Sequence, residues 1–279
     1  MGISTSPCRS TRAKGSIAAS PGSAASPSPY RIDRTEVTNA AFAAWLGRQP
    51  SLVERQGAGD EPGDRYVADD EGLLVHLYPR YGVFGIAREE GRYFARRGYE
   101  QRPVTQVSWR AAVRFCADRG GRLPTEAEWE RTARGPRGDR FPWGDGEPSC
   151  AGVSYGRSQG GVCHGGLATG PDDVGVAAED VSVEGVRDLG GNVAEWVLDH
   201  FAERYDSCPE PCRDPAVRFV LSDGDPYHVV RGGSFERAAE GCRGSGRMRR
   251  RGDDVLGDVG FRCAYPSDGP PRWPERFWP

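Results

Sequence analysis

The segment at residues 187–197, RDLGGNVAEWV, constrains the fold of this chain more than any other stretch. Asp188 and Glu195 place two carboxylates seven residues apart, and Gly190 and Gly191 let the backbone between them curl and expose its carbonyl oxygens. A hard cation such as Ca²⁺ takes about six to eight oxygen ligands of these two kinds. The segment therefore indicates either a loop around one calcium ion or an acidic turn in which Glu195 accepts backbone hydrogen bonds.

Three further segments accompany this one in order along the chain. GRLPTEAEWE lies upstream at residues 121–130, and RGGSF at residues 231–235 and GFRCA at residues 260–264 lie downstream. Together the four segments resemble the formylglycine-generating enzymes, also called sulfatase-modifying factors, and the resemblance runs from about Tyr30 to Tyr265. It implies an α+β protein: a single irregular domain with a C-type-lectin-like fold, in which helices and long loops flank a small antiparallel sheet.

The length and composition favour one ordered domain. No Pro/Gly/Ser-rich linker divides the middle of the 279 residues, and 39 glycines and 22 prolines predict a loop-rich structure. We predict a disordered tail at residues 1–29, which are rich in Ser, Pro, Ala and Gly, a domain at residues 30–266 and a C-terminal extension at residues 267–279.

Capping residues predict three helices within this domain. Thr38 precedes apolar residues at helical spacing, and Ser108 begins a second helix with Cys116 on its inner face. Thr125 and Glu128 form a capping box at the start of a third. The remaining regular structure is predicted to be a strand at residues 30–37, strand-like pieces near residues 73–78 and 93–95 in an irregular excursion at residues 47–102, and short strands between long loops after residue 144.

Eight cysteines in a loop-rich chain indicate disulfides and an oxidising compartment. Cys150 and Cys163 bracket a Gly- and Ser-rich stretch, as expected for a loop closed by a disulfide. Cys208 and Cys212 form a CxxxC pattern, which suits a small disulfide loop or half of a metal site. Because no second pair completes a zinc signature, we predict the Cys208–Cys212 disulfide.

Charge and hydropathy limit the partners that this chain can have. The net charge of −3 argues against general affinity for nucleic acids, and no apolar run approaches the roughly 20 residues that a membrane span needs. We expect a monomer in the periplasm or outside the cell, without a membrane span, whose leader is not visible in the sequence. The resemblance adds one disulfide, because the family pairs the positions of Cys116 and Cys263.

The resemblance also assigns calcium ligands. In the family, the loop that corresponds to residues 187–197 holds a structural calcium ion. Carried over residue by residue, its ligands are the side chains of Asp188 and Glu195 and the main-chain oxygens of Gly191 and Val193. Asp188 stands where the family often has asparagine, and both side chains offer an oxygen. A second calcium loop of many relatives has no matching ligand set here.

The catalytic centre implied by the resemblance is incomplete. The family's enzymes oxidise a cysteine of a target protein to formylglycine with O₂ and a Cu(I) ion, a soft ion that two thiolates hold after the Gly-Gly-Ser motif. Here Cys242 falls on the second thiolate position and Arg237, which cannot bind a cation, on the first. Ser234 and Arg250 match polar positions of the active site, so Ser234, Arg250 and Cys242 are the candidate catalytic residues. Asp258 stands where relatives commonly have asparagine.

The role of Cys242 is open at this point. It suits a buried small side chain or a disulfide partner of Cys8. It also suits a reactive thiol, because Arg237, Arg243 and Arg247 are near in sequence and cationic neighbours lower the pKa of a thiol.

Two functions remain, and whether the chain is an enzyme is open. We favour a non-catalytic binding or structural module with a peptide or protein as its candidate ligand, because function depends on the site rather than on the fold. The alternative is an oxidase of the formylglycine-generating type, which uses O₂ and copper; the resemblance supports it and Arg237 opposes it. A cleft at Ser234 and Cys242 that admits an extended peptide would favour the oxidase, and a filled one the module.

Overall fold

The computed structural model describes residues 27–56, 65–77, 85–158, 160–164, 170–203 and 227–267. Within these ranges, the helices are α1 (Asn39–Leu46), α2 (Trp109–Asp118), α3 (Glu126–Arg134) and a 3₁₀-helix (Ala239–Cys242). The strands are β1 (Tyr30–Ile32), β2 (Val53–Gln56), β3 (Arg65–Ala68), β4 (Leu73–Leu77), β5 (Ile86–Glu89), β6 (Arg92–Ala95), β7 (Ala194–His200), β8 (Tyr227–Arg231), β9 (Arg247–Arg251), β10 (Val259–Phe261) and β11 (Ala264–Pro266).

The three α-helices begin at the predicted capping residues. The side chain of Thr38 accepts a hydrogen bond from the backbone N–H of Ala41, and Ser108 caps α2 in the same way. At α3, Thr125 and Glu128 form both bonds of the capping box, at 3.2 and 2.8 Å. Each cap satisfies a backbone donor that the helix leaves unpaired and typically contributes about 1 kcal/mol.

The main sheet has four strands in the order β10-β7-β8-β9. The pairs β7–β8 and β8–β9 are antiparallel as expected, whereas β10 runs parallel to β7, with Gly260 opposite Glu195. A second pair, β1 and β11, joins the two ends of the described domain. β1 ends at Ile32, so the predicted strand at residues 30–37 was too long at its C-terminal end.

The excursion at residues 47–102 contains more regular structure than the sequence predicts. The strands β2, β3 and β4 form an antiparallel sheet, and β5 and β6 form a hairpin. Only β4 and β6 coincide with the predicted strand-like pieces. Of the others, β2 is mostly exposed, whereas β3 and β5 each place a residue in the core, Val67 and Ile86. None of the three has an alternating apolar sequence that would mark it as a strand.

An aromatic cluster between α1, α2 and β10 forms the centre of the core. The rings of Phe42 and Phe115 stack at 5.6 Å, and Phe115 meets the edge of Phe261 at 5.4 Å. The Cys116–Cys263 disulfide fastens α2 to the chain just after β10. The fold is therefore a single α+β domain in which α1 and α2 pack with Trp196 and Val230, while α3 packs with Val197 and Val229 on the opposite face of the main sheet.

The Cys150–Cys163 disulfide is also present, as predicted. Cys208–Cys212 lies outside the described residues, as do the tail at residues 1–26 and most of the C-terminal extension. Of the helices in the described ranges, none is both long and apolar enough to cross a membrane.

Candidate functional site

Two signature segments meet at the N-terminal end of β7. Residues 187–193 lead into β7, and the Gly-Gly-Ser turn follows β8. A Cβ atom on Gly233 would lie 2.2 Å from the carbonyl oxygen of Gly190, so this contact requires glycine at residue 233. Two neighbouring clusters result, one of carboxylates beneath the loop and one around Cys242.

The carboxylate cluster contains one buried ion pair, between Glu195 and Arg262. Glu195 on β7 accepts two hydrogen bonds from the guanidinium of Arg262, at 2.7 and 2.8 Å, and a third from the indole of Trp129, at 2.9 Å. All three side chains are fully buried. Two parallel bonds between ionised groups are the strong form of this interaction, so Arg262 compensates the charge of Glu195.

Three more carboxylates surround this pair, and among the described residues none of the three forms an ion pair with a cation of its own. Asp188 accepts a hydrogen bond from the backbone of Gly175, and Asp180 accepts from the backbone N–H of Gly190 at 2.9 Å. Glu36 accepts from the side chain of Asn192 at 3.1 Å. Four buried acidic groups therefore face one arginine, and an uncompensated buried charge is costly.

Burial and the surrounding negative charges raise the pKa values of the three carboxyl groups that have no ion pair. Burial, and then the charge of Asp188, raises the pKa of Glu36 well above its ordinary value. The same two causes raise the pKa of Asp180 to about 7. Burial also raises the pKa of Asp188. The cluster therefore favours uptake of positive charge, either protons or a cation.

The loop supplies oxygen atoms of the kind that calcium prefers. Among the described residues, no hydrogen bond is donated to the main-chain oxygens of Gly191 and Val193, although both residues are buried. In the described part of the chain, Glu195 Oε1 accepts one hydrogen bond, from Arg262. Within the described ranges, no three His, Cys, Asp or Glu side chains form a metal site by themselves. A cation therefore fits only if main-chain oxygens complete its ligands.

Cys242 lies in an apolar cluster beside this loop. It ends the 3₁₀-helix, is fully buried, and belongs to a cluster with Phe141, Tyr155 and Cys163. The thiol is free, so among the described residues it has no disulfide partner. Burial, followed by the charges of Asp180 and Glu240, raises its pKa to about 12. This shift is opposite to the one that a reactive thiolate requires.

Arg237, at the first thiolate position, pairs with a neighbouring carboxylate. Its guanidinium lies 2.9 Å from Asp258, and Ser234 Oγ donates to the same carboxylate oxygen at 3.0 Å. Arg247 pairs with Glu126, with 2.9 Å between Nη2 and Oε2. Two of the three arginines predicted to activate Cys242, Arg237 and Arg247, therefore pair with carboxylates instead.

The candidate catalytic residues are only partly brought together. Ser234 and Cys242 both lie next to Gly233, and both side chains are fully buried. Arg250 lies on β9 opposite His228, and its guanidinium donates to the carbonyl of Arg249 at 3.0 Å. Neither Ser234 nor Cys242 therefore presents its side chain at the surface of the described structure.

The sequence analysis missed several residues of the site. Trp129 and Arg262 each lie in one of the four ordered segments, so the motifs contained a signal for them. Glu36 and Asp180 belong to no motif, and only the folded structure brings them to residues 188–195.

Comparison with known proteins gives three consistent results. Residues 8–266 match the model of a family described as the sulfatase-modifying factor enzyme 1-like domain. The chain is 31% identical over 265 residues to the formylglycine-generating enzyme of Streptomyces coelicolor, covering 86% of this chain and 79% of that protein. It is 29% identical over 257 residues to the inactive C-alpha-formylglycine-generating enzyme 2 of Mus musculus, covering 87% and 77%.

Among solved structures, PvdO from Pseudomonas aeruginosa is similar, with a TM-score of 0.57 and 22% identity over 85% of this chain and 80% of that one. This likeness shows the fold alone.

Proposed function

Because the chain belongs to the family of sulfatase-modifying factor enzyme 1-like domains, we propose that it is a non-catalytic binding or structural module on that scaffold. The observation that carries the proposal is the ion pair between Arg237 and Asp258, which occupies the position expected for a copper-binding thiolate. A guanidinium has no lone pair to offer a metal and stays protonated in proteins.

The remaining thiol does not compensate for this loss. Cu(I) selects soft sulfur ligands and binds tightly when two of them oppose each other. Cys242 is one sulfur, it is fully buried, and its pKa of about 12 opposes the loss of its proton. Among the described residues, Cys242 is the free thiol at this turn, which supports a module without a two-thiolate clamp.

The alternative is an oxidase that converts a protein cysteine to formylglycine with O₂ and copper. It is favoured by the Streptomyces coelicolor relative, whose printed name gives that activity. The Mus musculus relative, named inactive, shows that family members without activity exist at similar identity. Family membership alone therefore does not decide between the two functions.

The proposal includes a structural calcium ion. Asp188, Glu195 and the main-chain oxygens of Gly191 and Val193 would hold it, since these oxygens are buried and incompletely paired. The ion would neutralise part of the acidic cluster and fix the conformation of residues 188–195. No step of a reaction depends on it.

We further propose an extracytoplasmic location and a peptide or protein as the ligand. Two disulfides within the described domain suit an oxidising compartment.

The test is a Cu(I) titration of the reduced protein against a competing chelator. We expect no tight binding by the natural chain and one-to-one binding by the Arg237→Cys/Asp258→Asn double variant, in which Asp258 is not left as an unpaired charge. Adding Cys242→Ser to that variant should abolish the binding. Tight one-to-one binding by the natural chain, lost in Cys242→Ser alone, would instead establish a copper site and support the oxidase.

A further inference from the structure

We propose that a cleft in the excursion at residues 47–102 binds an extended peptide with an acidic side chain, which pairs with the outer edge of β5. The inference deepens the peptide ligand of the proposed function and rests on it. The cleft lies between β5 and the sheet of β2, β3 and β4, and its volume of about 410 Å³ is ordinary for a ligand site. None of its lining residues belongs to the clusters around Asp188 and Cys242.

The first argument is the backbone of β5. This strand pairs with β6 in a two-stranded sheet, so among the described residues no strand covers its other edge. The backbone N–H of Arg96 donates to the carbonyl of Gly85 at 2.6 Å, which marks these two residues as a hydrogen-bonded pair. Hydrogen-bonded and non-hydrogen-bonded pairs alternate along an antiparallel ladder, so Ile86 and Arg88 direct their N–H and C=O groups away from β6. Both residues line the cleft, where these groups can pair with an added strand.

The second argument is the distribution of charge along the cleft. Arg65 and Arg88 pair with the same carboxylate, that of Glu54, at 3.1 and 2.9 Å. Arg96 forms no ion pair in the described part of the chain, and its Nε is buried without a hydrogen-bond acceptor. The side chains of residues 89–90 are exposed and lie at the β5–β6 turn, at the opposite end of β5 from Arg96. A buried donor without a partner is costly, so a ligand carboxylate beside Arg96 would be stabilising.

The third argument is the apolar wall of the cleft. Leu77 and Ile86 line it and belong to the hydrophobic core, with exposed fractions of 6% and 4%. Ala87 lies beside them on β5. Ligand sites commonly combine an apolar lining with a few polar groups that set the orientation of the ligand. The cleft therefore suits a carboxylate that is flanked by apolar residues on an extended backbone.

The test is a titration of the full chain, followed by NMR, with a blocked tripeptide of valine, glutamate and valine. The control ligand has glutamine in place of glutamate. We expect it to bind about tenfold more weakly, because it cannot form a charge-assisted hydrogen bond with Arg96. This comparison needs no variant, so it tests the inference even if a substitution in the cleft prevents folding.

Two variants test the role of Arg96 directly. Arg96→Gln should reduce the affinity for the glutamate peptide by about tenfold, for the same reason. Arg97→Gln is the matched control, since Arg97 is the exposed neighbouring arginine and does not line the cleft. It should leave the affinity unchanged.

A second measurement tests the pairing with β5. In saturating glutamate peptide, the backbone amides of Ile86 and Arg88 should exchange with solvent at least about tenfold more slowly, because each would donate to the added strand. Propionate carries a carboxylate without a peptide backbone, so it should leave both exchange rates unchanged.

The outcomes separate this inference from the proposed function. Absence of binding, equal affinity for the two peptides, or unchanged exchange at Ile86 and Arg88 would overturn the inference. Propionate binding as tight as that of the peptide would also overturn it, because the cleft would then take small carboxylates. Each of these results leaves the non-catalytic module standing, since the copper titration at Arg237 and Cys242 tests that proposal separately.

Discussion

The guanidinium of Arg237 and the carboxylate of Asp258 lie 2.9 Å apart and form an ion pair at the position expected for a copper clamp. The family pattern has a cysteine at the first of these positions and commonly an asparagine at the second. The two residues that differ from the family pattern, Arg237 and Asp258, therefore contact each other and carry opposite charges. The two charges compensate each other in this turn, so an arginine at residue 237 is compatible with a folded scaffold.

The ion pair predicts coupling between the two positions. Arg237→Ala should lower the free energy of unfolding by about 1–2 kcal/mol, because it leaves the mostly buried Asp258 carboxylate without its cation. Asp258→Asn in the same chain should recover part of this loss, since an uncharged amide can still accept from Ser234. Urea unfolding of the two single variants and the double variant measures the coupling. Strictly additive effects would show that the two side chains do not stabilise each other.

Cys242 should be inert in the folded protein. Its pKa of about 12, against an ordinary 9.0, leaves a thiolate fraction on the order of 10⁻⁴ at pH 8, and the side chain has no exposed surface. We expect iodoacetamide to label Cys242 only after unfolding in urea, as followed by peptide mass spectrometry at pH 8. Native labelling within about tenfold of the unfolded rate would show that an activated thiol is accessible.

The sequence predicts those parts of the fold that depend on local chemistry. The caps at Thr38, Ser108 and Thr125 act over three residues, so their side chains alone locate the helix starts. Strands β2 and β3 were missed because their stabilising partners are other strands, and no alternating apolar pattern marks them.

The same distinction applies to the site. Asp188 and Glu195 are close in sequence and were recognised from their spacing, whereas the Glu195–Arg262 pair joins residues separated by 67 positions. Glu36 contacts Asn192 across 156 positions. Contacts of this range depend on the complete fold, so spacing along the chain cannot indicate which acidic residues share one buried cluster.

His228 should contribute to the acid sensitivity of the fold. Its ring stacks on Trp109 at 3.8 Å, and burial, with a smaller effect of His200, lowers its pKa from 6.5 to about 3. Folding therefore favours the neutral imidazole. The stabilisation is fully present above pH 6.5 and is lost as the pH falls from there toward 3, by as much as a few kcal/mol.

The measurement is the free energy of unfolding of the natural chain and of His228→Gln between pH 7 and pH 4. The variant should be less stable at pH 7, because it loses the ring stacking, but should decline less steeply on the acid side. His164→Gln is the control substitution, since His164 lies in a separate loop. Parallel pH profiles for the natural chain and His228→Gln would show that His228 does not bind a proton on unfolding in this range.

The two described disulfides should differ in their contribution to stability. Cys116–Cys263 closes a loop of 147 residues and Cys150–Cys163 one of 13. In the chain-entropy model the first stabilises the fold by about 5 kcal/mol and the second by about 3 kcal/mol, because the longer loop restricts the unfolded chain more. Paired Cys→Ala substitutions at each bridge, compared by urea unfolding under oxidising conditions, should therefore show the larger loss for Cys116–Cys263. Equal losses, or a larger loss at Cys150–Cys163, would mean that local packing around Cys163 and Cys242 outweighs loop entropy.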